Sequence, residues 1–116
     1  MPTYKGSCHC GAIVMEVDGE LDRVIECNCS ICQRRGSLLW FVPRDALRLD
    51  ADPTQLGTYR FNTHRIDHHF CTTCGIAPYS EGANPDGSPM AAINVRCLED
   101  VELDGLTRVR FDGRRL

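Results

Sequence analysis

Two short segments, Cys8-His9-Cys10-Gly11 and Cys71-Thr72-Thr73-Cys74-Gly75, decide the fold. Each is a pair of cysteines followed directly by glycine, which tolerates the positive φ at which such a tight turn often ends. A structural zinc ion takes four ligands in a tetrahedron, so two pairs of thiolates complete its coordination shell. The sequence therefore predicts that these four cysteines converge on one structural zinc ion and close a long loop.

A third cluster, Cys27-Asn28-Cys29-Ser30-Ile31-Cys32, offers three more thiolates within one short segment. Three protein ligands with one open position are typical of a catalytic zinc site, whereas four ligands close a structural one. The cluster therefore predicts a second, open zinc site whose three cysteines are both metal ligands and catalytic residues. Two other interpretations stay open: Cys97 or His9 completes the coordination shell, or the thiols bind no stable metal.

The chain has eight cysteines in 116 residues, and two explanations compete with metal binding. Disulfides are typical of secreted proteins, but the segment from Met1 to Gly6 does not have the pattern of a signal peptide. The cysteines of a C-x-C pair also lie too close together for an easy disulfide. Isolated cysteines act as small core hydrophobes, which is the role we expect for Cys97.

Composition narrows the function classes. The formal net charge is −3, from 13 basic and 16 acidic residues, so no global positive field favours nucleic acid or an anionic membrane. No apolar run approaches the roughly 20 residues that span a bilayer. We expect one zinc domain over residues 1–116, located in the cytoplasm, with no nucleic-acid or membrane partner; the oligomeric state stays open.

Short runs of β-forming residues dominate the pattern. Only Ser30 to Arg35 looks helical, with Gly36 ending the helix, and residues 84–87 have the composition of an exposed turn. The sequence therefore predicts a mainly β domain of two small sheets. The expected strands cover residues 12–17, 38–42, 57–62, 66–70, 91–95 and 107–111.

The ordered motifs resemble one known family, the glutathione-dependent formaldehyde-activating enzymes, which share their domain with centromere protein V. The resemblance runs from about residue 3 to residue 112. Its most specific part is the order C-x-C, C-x-C-x-x-C and C-x-x-C. The segments that carry it are Gly6-Ser7-Cys8-His9-Cys10-Gly11, Cys27-x-Cys29-x-x-Cys32, Val42-Pro43-Arg44, Tyr59-Arg60-Phe61, Phe70-Cys71-x-x-Cys74-Gly75 and Asn94-Val95-Arg96-Cys97-Leu98-Glu99-Asp100.

The resemblance implies a β-tent fold, in which zinc holds small antiparallel sheets together. It implies a structural zinc ion on Cys8, Cys10, Cys71 and Cys74, and a more labile catalytic zinc ion on Cys27, Cys29 and Cys32. The implied activity is that of a carbon–sulfur lyase, which condenses glutathione with formaldehyde to S-hydroxymethylglutathione. The implied partners are therefore a small-molecule thiol, glutathione, and an aldehyde.

Arg34 and Arg35 directly follow the three-cysteine cluster, and a guanidinium can bind a glutathione carboxylate through two hydrogen bonds. Adjacent residues on a helical turn point in different directions, so we expect only one of them to do so; Lys5 and Arg96 are weaker candidates. The alternative is that both arginines are solvated surface charges.

Two other functions compete with an enzyme. One is a carrier that binds zinc or a thiol without turnover. The other is a zinc-containing interaction domain, for which the C-terminal arginines 108, 110, 114 and 115 form the only basic cluster.

Histidines and aromatic residues carry weaker signals. We expect His9 to be an exposed residue of its turn, and His68 and His69 to face opposite sides of a strand. Trp40, Phe41 and Phe61 are expected in the core, where large aromatic side chains usually lie.

Overall fold

The computed structural model describes residues 2–115, which form ten strands, one α-helix and five short 3-10 turns. The helix, α1, spans Ser30–Arg35. The strands are β1 (Thr3–Ser7), β2 (Ile13–Asp18), β3 (Arg23–Cys27), β4 (Leu39–Pro43), β5 (Leu47–Ala51), β6 (Leu56–Tyr59), β7 (Asp67–Cys71), β8 (Tyr79–Ala83), β9 (Pro89–Asn94) and β10 (Thr107–Phe111). This confirms the expected mainly β fold.

The strands form a three-stranded sheet, ordered β1-β2-β5, and a seven-stranded sheet, ordered β10-β3-β4-β9-β8-β7-β6. All pairs are antiparallel except β3 and β10, which run parallel. This pair departs from the wholly antiparallel arrangement implied by the family resemblance. It arises because β10 returns after a long connection and adds at the edge beside β3, with Val109 opposite Ile25.

The main core lies between the two sheets. Ile13, Met15 and Val17 alternate along β2 and are almost completely buried, so they share the face that packs on the core. Met15 and Val17 belong to the same apolar cluster as Trp40 of β4 and Ile93 of β9. One face of the seven-stranded sheet therefore packs on the core, and a binding site can form on its opposite face.

The predicted elements agree with the structure where an apolar pattern marks them. α1 has the predicted bounds, and Gly36 ends it with φ 68°. The predicted strand at 57–62 is too long, because β6 ends at Tyr59 and Asn62 has φ 56°. Four strands, β1, β3, β5 and β8, were not predicted. β8 shows why: its sequence Tyr-Ser-Glu-Gly-Ala has no apolar alternation.

The connections place the cysteines at the ends of strands. Cys8 and Cys10 lie in the turn between β1 and β2, and Cys71 ends β7 just before a second turn. Cys27 ends β3, and Cys32 lies within α1. Among residues 2–115, no helix is both long enough and apolar enough to cross a membrane.

Candidate functional site

The first cluster brings together Cys8, Cys10, Cys71 and Cys74, the four-cysteine site, with all four sulfur atoms within 4.8 Å of one another. The Sγ atoms of Cys8 and Cys10 are 3.7 Å apart, and those of Cys10 and Cys71 are 3.6 Å apart. A tetrahedron of thiolates around zinc, with Zn–S near 2.3 Å, has sulfur–sulfur edges of about 3.8 Å. The donor set and its spacing therefore fit a structural zinc ion.

Backbone amides support these sulfur atoms. The Ile13 N–H donates to Cys8 Sγ at 3.3 Å, and the N–H groups of Thr73 and Cys74 donate to Cys71 Sγ, each at 3.4 Å. Such hydrogen bonds favour the thiolate form that a metal requires. The Ile76 backbone N–H is the largest of the effects that lower the pKa of Cys74 to about 6.

The turn glycines have the backbone conformation that the sequence predicts. Gly11 follows the first pair with φ 84°, and Gly75 follows the second with φ 82°. Cys8 and Cys71 are buried in a small apolar cluster with Ile13. This site therefore joins the β1–β2 turn to the β7–β8 turn, and so connects the two sheets.

The second cluster is the three-cysteine site, Cys27, Cys29 and Cys32, whose sulfur atoms also lie within 4.8 Å of one another. The Cys29 N–H donates to Cys27 Sγ at 3.4 Å. Burial is the largest cause that raises the pKa values of Cys27 and Cys32, and neighbouring thiols add to it. Holding all three as thiolates would require a compensating cation, and a divalent metal such as zinc would supply it.

The three-cysteine group has no fourth member among the His, Cys, Asp and Glu ligand atoms of residues 2–115. His9 lies on the exposed first turn, as expected. Cys97 packs against the main core, and burial raises its pKa to about 11, with Cys8 and Cys74 as its charged neighbours. Cys97 therefore lies near the other cluster, and all eight cysteines are free thiols.

Residues 111–114, which we call the C-terminal clamp, hold the loop of the three-cysteine site. The Asn28 backbone N–H donates to the Phe111 carbonyl oxygen at 3.2 Å, and Asn28 Nδ2 donates to Asp112 Oδ1 at 3.0 Å. The Arg114 backbone N–H returns a hydrogen bond to Asn28 Oδ1 at 3.1 Å, and Arg114 Nε donates to the Asn28 carbonyl oxygen at 3.1 Å. The middle residue of Cys27-Asn28-Cys29 is therefore fixed from two sides.

Gly113 makes the closest approach of the clamp to the sulfur atoms. A Cβ atom at this buried position would lie 2.7 Å from Cys27 Sγ and 2.8 Å from the Cys29 Cβ. No contact was predicted for this residue from the sequence. The only signal was the Asp112-Gly113 dipeptide, which says nothing about a partner so far away in the chain.

The two candidate arginines differ in their surroundings. Arg34 Nη1 donates to the Ser30 carbonyl oxygen within the helix, at 2.9 Å. Arg35 has no hydrogen-bond or ion-pair partner within residues 2–115, although it lies near Cys32 and Tyr59, and burial lowers its pKa. Arg96 Nε donates to the Gly36 carbonyl oxygen at 3.1 Å, at the end of α1, and Lys5 lies on β1.

A groove of about 840 Å³ opens beside the three-cysteine site, on the face of the seven-stranded sheet opposite the core. Its wall includes the three cysteines, both helix arginines and the clamp residues Phe111, Gly113 and Arg114. Further along, the wall is mostly aliphatic and aromatic. That part is formed by Ile25, Leu39, Phe41, Phe61, Ile66 and Met90.

The aromatic residues divide between core and groove. Trp40 is 7% exposed in the core, as expected. The expectation is wrong for Phe41, which is 47% exposed on the groove wall, and for Phe61, which lies on the same wall. The reason is strand alternation: Trp40 and Phe41 are neighbours on β4, so only one of them can face the core.

The two neighbouring histidines face opposite sides, as predicted. His68 lines the groove and stacks on Phe61, with ring centroids 5.3 Å apart. His69 faces the core side, where its Nδ1 lies 3.0 Å from Thr58 Oγ1. Burial lowers the pKa of His68, which keeps its imidazole neutral near neutral pH.

The C-terminal basic cluster is partly engaged within the molecule. Arg108 Nη1 lies 3.5 Å from Glu26 Oε2, and Arg114 bonds to Asn28 and Gln33. These contacts reduce the charge that the cluster offers to an external partner.

Two comparisons bear on this geometry. A family model described as "Glutathione-dependent formaldehyde-activating enzyme" matches residues 3–109. A protein from Rhodobacter sphaeroides, known from its crystal structure, is similar with a TM-score of 0.76 and 32% sequence identity. That similarity covers 90% of this chain and 99% of the other. The clamp residues 111–114 lie beyond the part that the family model matches.

Proposed function

The chain belongs to the glutathione-dependent formaldehyde-activating enzyme family, and from this premise we propose that it is a zinc-dependent enzyme of the carbon–sulfur lyase type. Membership supports a function related to glutathione and formaldehyde in general. The specific reaction that we propose is the reversible joining of a small-molecule thiol to an aldehyde, with S-hydroxymethylglutathione as the product from glutathione and formaldehyde. The three-cysteine site is the proposed catalytic centre.

One observation carries this proposal: three thiols converge at the end of a groove, separate from a cluster that already has four. Four thiolates close a zinc site, whereas three leave a position for substrate. Zinc held by Cys27, Cys29 and Cys32 would favour the thiolate form of a substrate thiol and polarise an aldehyde carbonyl. The four-cysteine site is proposed to be structural only.

The protein's own residues would bind and orient the substrates. Arg35 has no partner within the described chain and lies near Cys32, so it is our candidate for binding a substrate carboxylate. Arg34 is already bonded to the helix backbone and is the weaker candidate. Thiol addition to an aldehyde has a low intrinsic barrier, so much of the rate acceleration would come from holding both substrates together in the groove.

The test is exchange spectroscopy by NMR on glutathione and formaldehyde, which measures the rate between free thiol and adduct. We expect wild-type protein loaded with zinc to accelerate this exchange, and Cys29→Ser to remove the acceleration. Cys97→Ser is the matched control, because it replaces a thiol outside both clusters. Equal rates for wild type and Cys29→Ser would refute the catalytic proposal.

The same samples separate an enzyme from a carrier. Calorimetry that shows glutathione binding to the wild type without faster exchange would favour the carrier. If the wild type neither binds a small thiol nor accelerates exchange, both functions are wrong.

A further inference from the structure

The groove wall is built from a row of residues that crosses the sheet. In the strand register, Phe41 of β4 lies opposite Ala92 of β9, Ala92 opposite Ser80 of β8, and Ser80 opposite His68 of β7. Residues opposite one another in paired strands point to the same face of the sheet. With strands about 4.8 Å apart, the distance from β3, which ends at Cys27, to β7 is about 19 Å.

Three large apolar side chains remain exposed along this wall. Phe41 is 47% exposed, Phe111 is 46% exposed and Ile66 is 43% exposed, and all three line the groove. Exposed apolar residues that stand alone need no explanation, but a group of them around one concavity marks a binding surface.

The groove has three arginines in its wall, Arg34, Arg35 and Arg114. Arg35 lies near Cys32 and also near Tyr59 and His68, which are on β6 and β7. Arg34 and Arg114 already donate hydrogen bonds to backbone carbonyls, which leaves Arg35 as the guanidinium without a partner in residues 2–115. Arg35 therefore suits an anionic thiol, whereas the part of the wall formed by Phe41, Ile66 and Met90 adds no charged side chain.

Formaldehyde has one carbon atom and cannot cover such a wall. We propose that the wall formed by Phe41, Ile66 and Met90 is a subsite for the carbon body of a larger, apolar aldehyde, aromatic or medium-chain aliphatic. The aldehyde joins an anionic thiol held at Arg35 and the three-cysteine site. This inference rests on the proposed function and narrows its substrate class.

The reaction is an addition that balances without an oxidant or reductant. The thiol sulfur forms a bond to the carbonyl carbon, and the π pair of the C=O bond moves to oxygen. The oxygen takes up the proton that the thiol releases, which gives a hemithioacetal. In the reverse direction the carbon–sulfur bond breaks and the same proton returns to sulfur.

The test compares phenylacetaldehyde with formaldehyde, using glutathione as the thiol and zinc-loaded protein, and measures exchange rates by NMR. We expect the wild type to accelerate phenylacetaldehyde addition about tenfold more than formaldehyde addition, since a buried phenyl group adds that much binding. Phe41→Ala should lower the ratio of the two accelerations at least about fivefold. Val14→Ala, which shortens a 40% exposed apolar side chain on the other sheet, should leave the ratio unchanged.

A second readout locates the ligand without relying on turnover. Phenylacetaldehyde should shift the methyl resonances of Met90 and Ala92 in the wild type, and shift them less in Phe41→Ala. Acceleration of formaldehyde addition with no preference for phenylacetaldehyde and no methyl shift would overturn the subsite and leave the proposed function standing. Absence of acceleration with every aldehyde would overturn both, and a dimer in solution that closes the groove would overturn the subsite.

Discussion

Gly113→Ala tests whether the C-terminal clamp shapes the three-cysteine site. The added Cβ would lie 2.7 Å from Cys27 Sγ and 2.8 Å from the Cys29 Cβ. Comfortable contacts between such atoms are about 3.5–4.0 Å, so the clamp or the loop must move by roughly 0.8 Å or more. Overpacking of this kind costs about 1–3 kcal/mol. Because this cost destabilises the metal-bound state, it should lower the zinc affinity roughly 5- to 150-fold.

The assay is a competition titration of zinc against a chromophoric chelator, which resolves the two sites by affinity. We expect Gly113→Ala to weaken the second zinc and leave the first unchanged. Gly105→Ala is the matched control, because its Cβ would meet nothing closer than Glu102 Cγ at 3.7 Å. Wild-type affinity at both sites would refute the role of the clamp, and equal weakening at both would show a general effect on the fold.

Three further predictions concern the fold and its charges. Cys74→Ser should lower the free energy of unfolding by about 4 kcal/mol or more in urea titrations, because structural metal is lost; an equal loss on emptying the three-cysteine site would contradict this. Gly6→Ala should lower the free energy of unfolding by about 1–3 kcal/mol, since its Cβ would overlap the Cys97 carbonyl oxygen, and an unchanged urea midpoint would contradict this. The hydrogen bond from Arg48 lowers the pKa of Asp18 to about 2, so this ion pair stabilises the fold above pH 3.8 and loses its effect as pH falls through 2. Arg48→Met should return the pKa of Asp18 towards 3.8 in an NMR titration, and a value that stays near 2 would contradict the assignment.

Local patterns were enough to predict the cysteine clusters and several strands. Cys8 and Cys71 are each followed two or three residues later by a second cysteine, so their turns could be recognised without knowledge of the fold. α1 was equally clear, because a single glycine ends it. These features depend on neighbours in sequence, which is where single-sequence reasoning is strongest.

The groove and the clamp depend on pairings that sequence does not show. Phe41 was expected in the core because aromatic residues usually lie there, but its exposure follows from the fact that Trp40 occupies the core face. Gly113 reaches Cys27 because β10 pairs with β3, and no local pattern specifies that partner. The cysteines of the candidate site were therefore predictable from the sequence, whereas the groove wall and the clamp around them were not.

The weak anchoring of β10 has a consequence for metal exchange. All five of its residues are exposed, so it is held by main-chain hydrogen bonds to β3, the Arg108–Glu26 ion pair and the clamp contacts. Segments that bury few apolar contacts open first in amide exchange. An ion that binds the closed arrangement more tightly than the open one raises the free energy of opening by the difference between its two binding free energies. Deuterium uptake at this one strand should thus report, from outside the three-cysteine site, whether its sulfur atoms hold a metal ion.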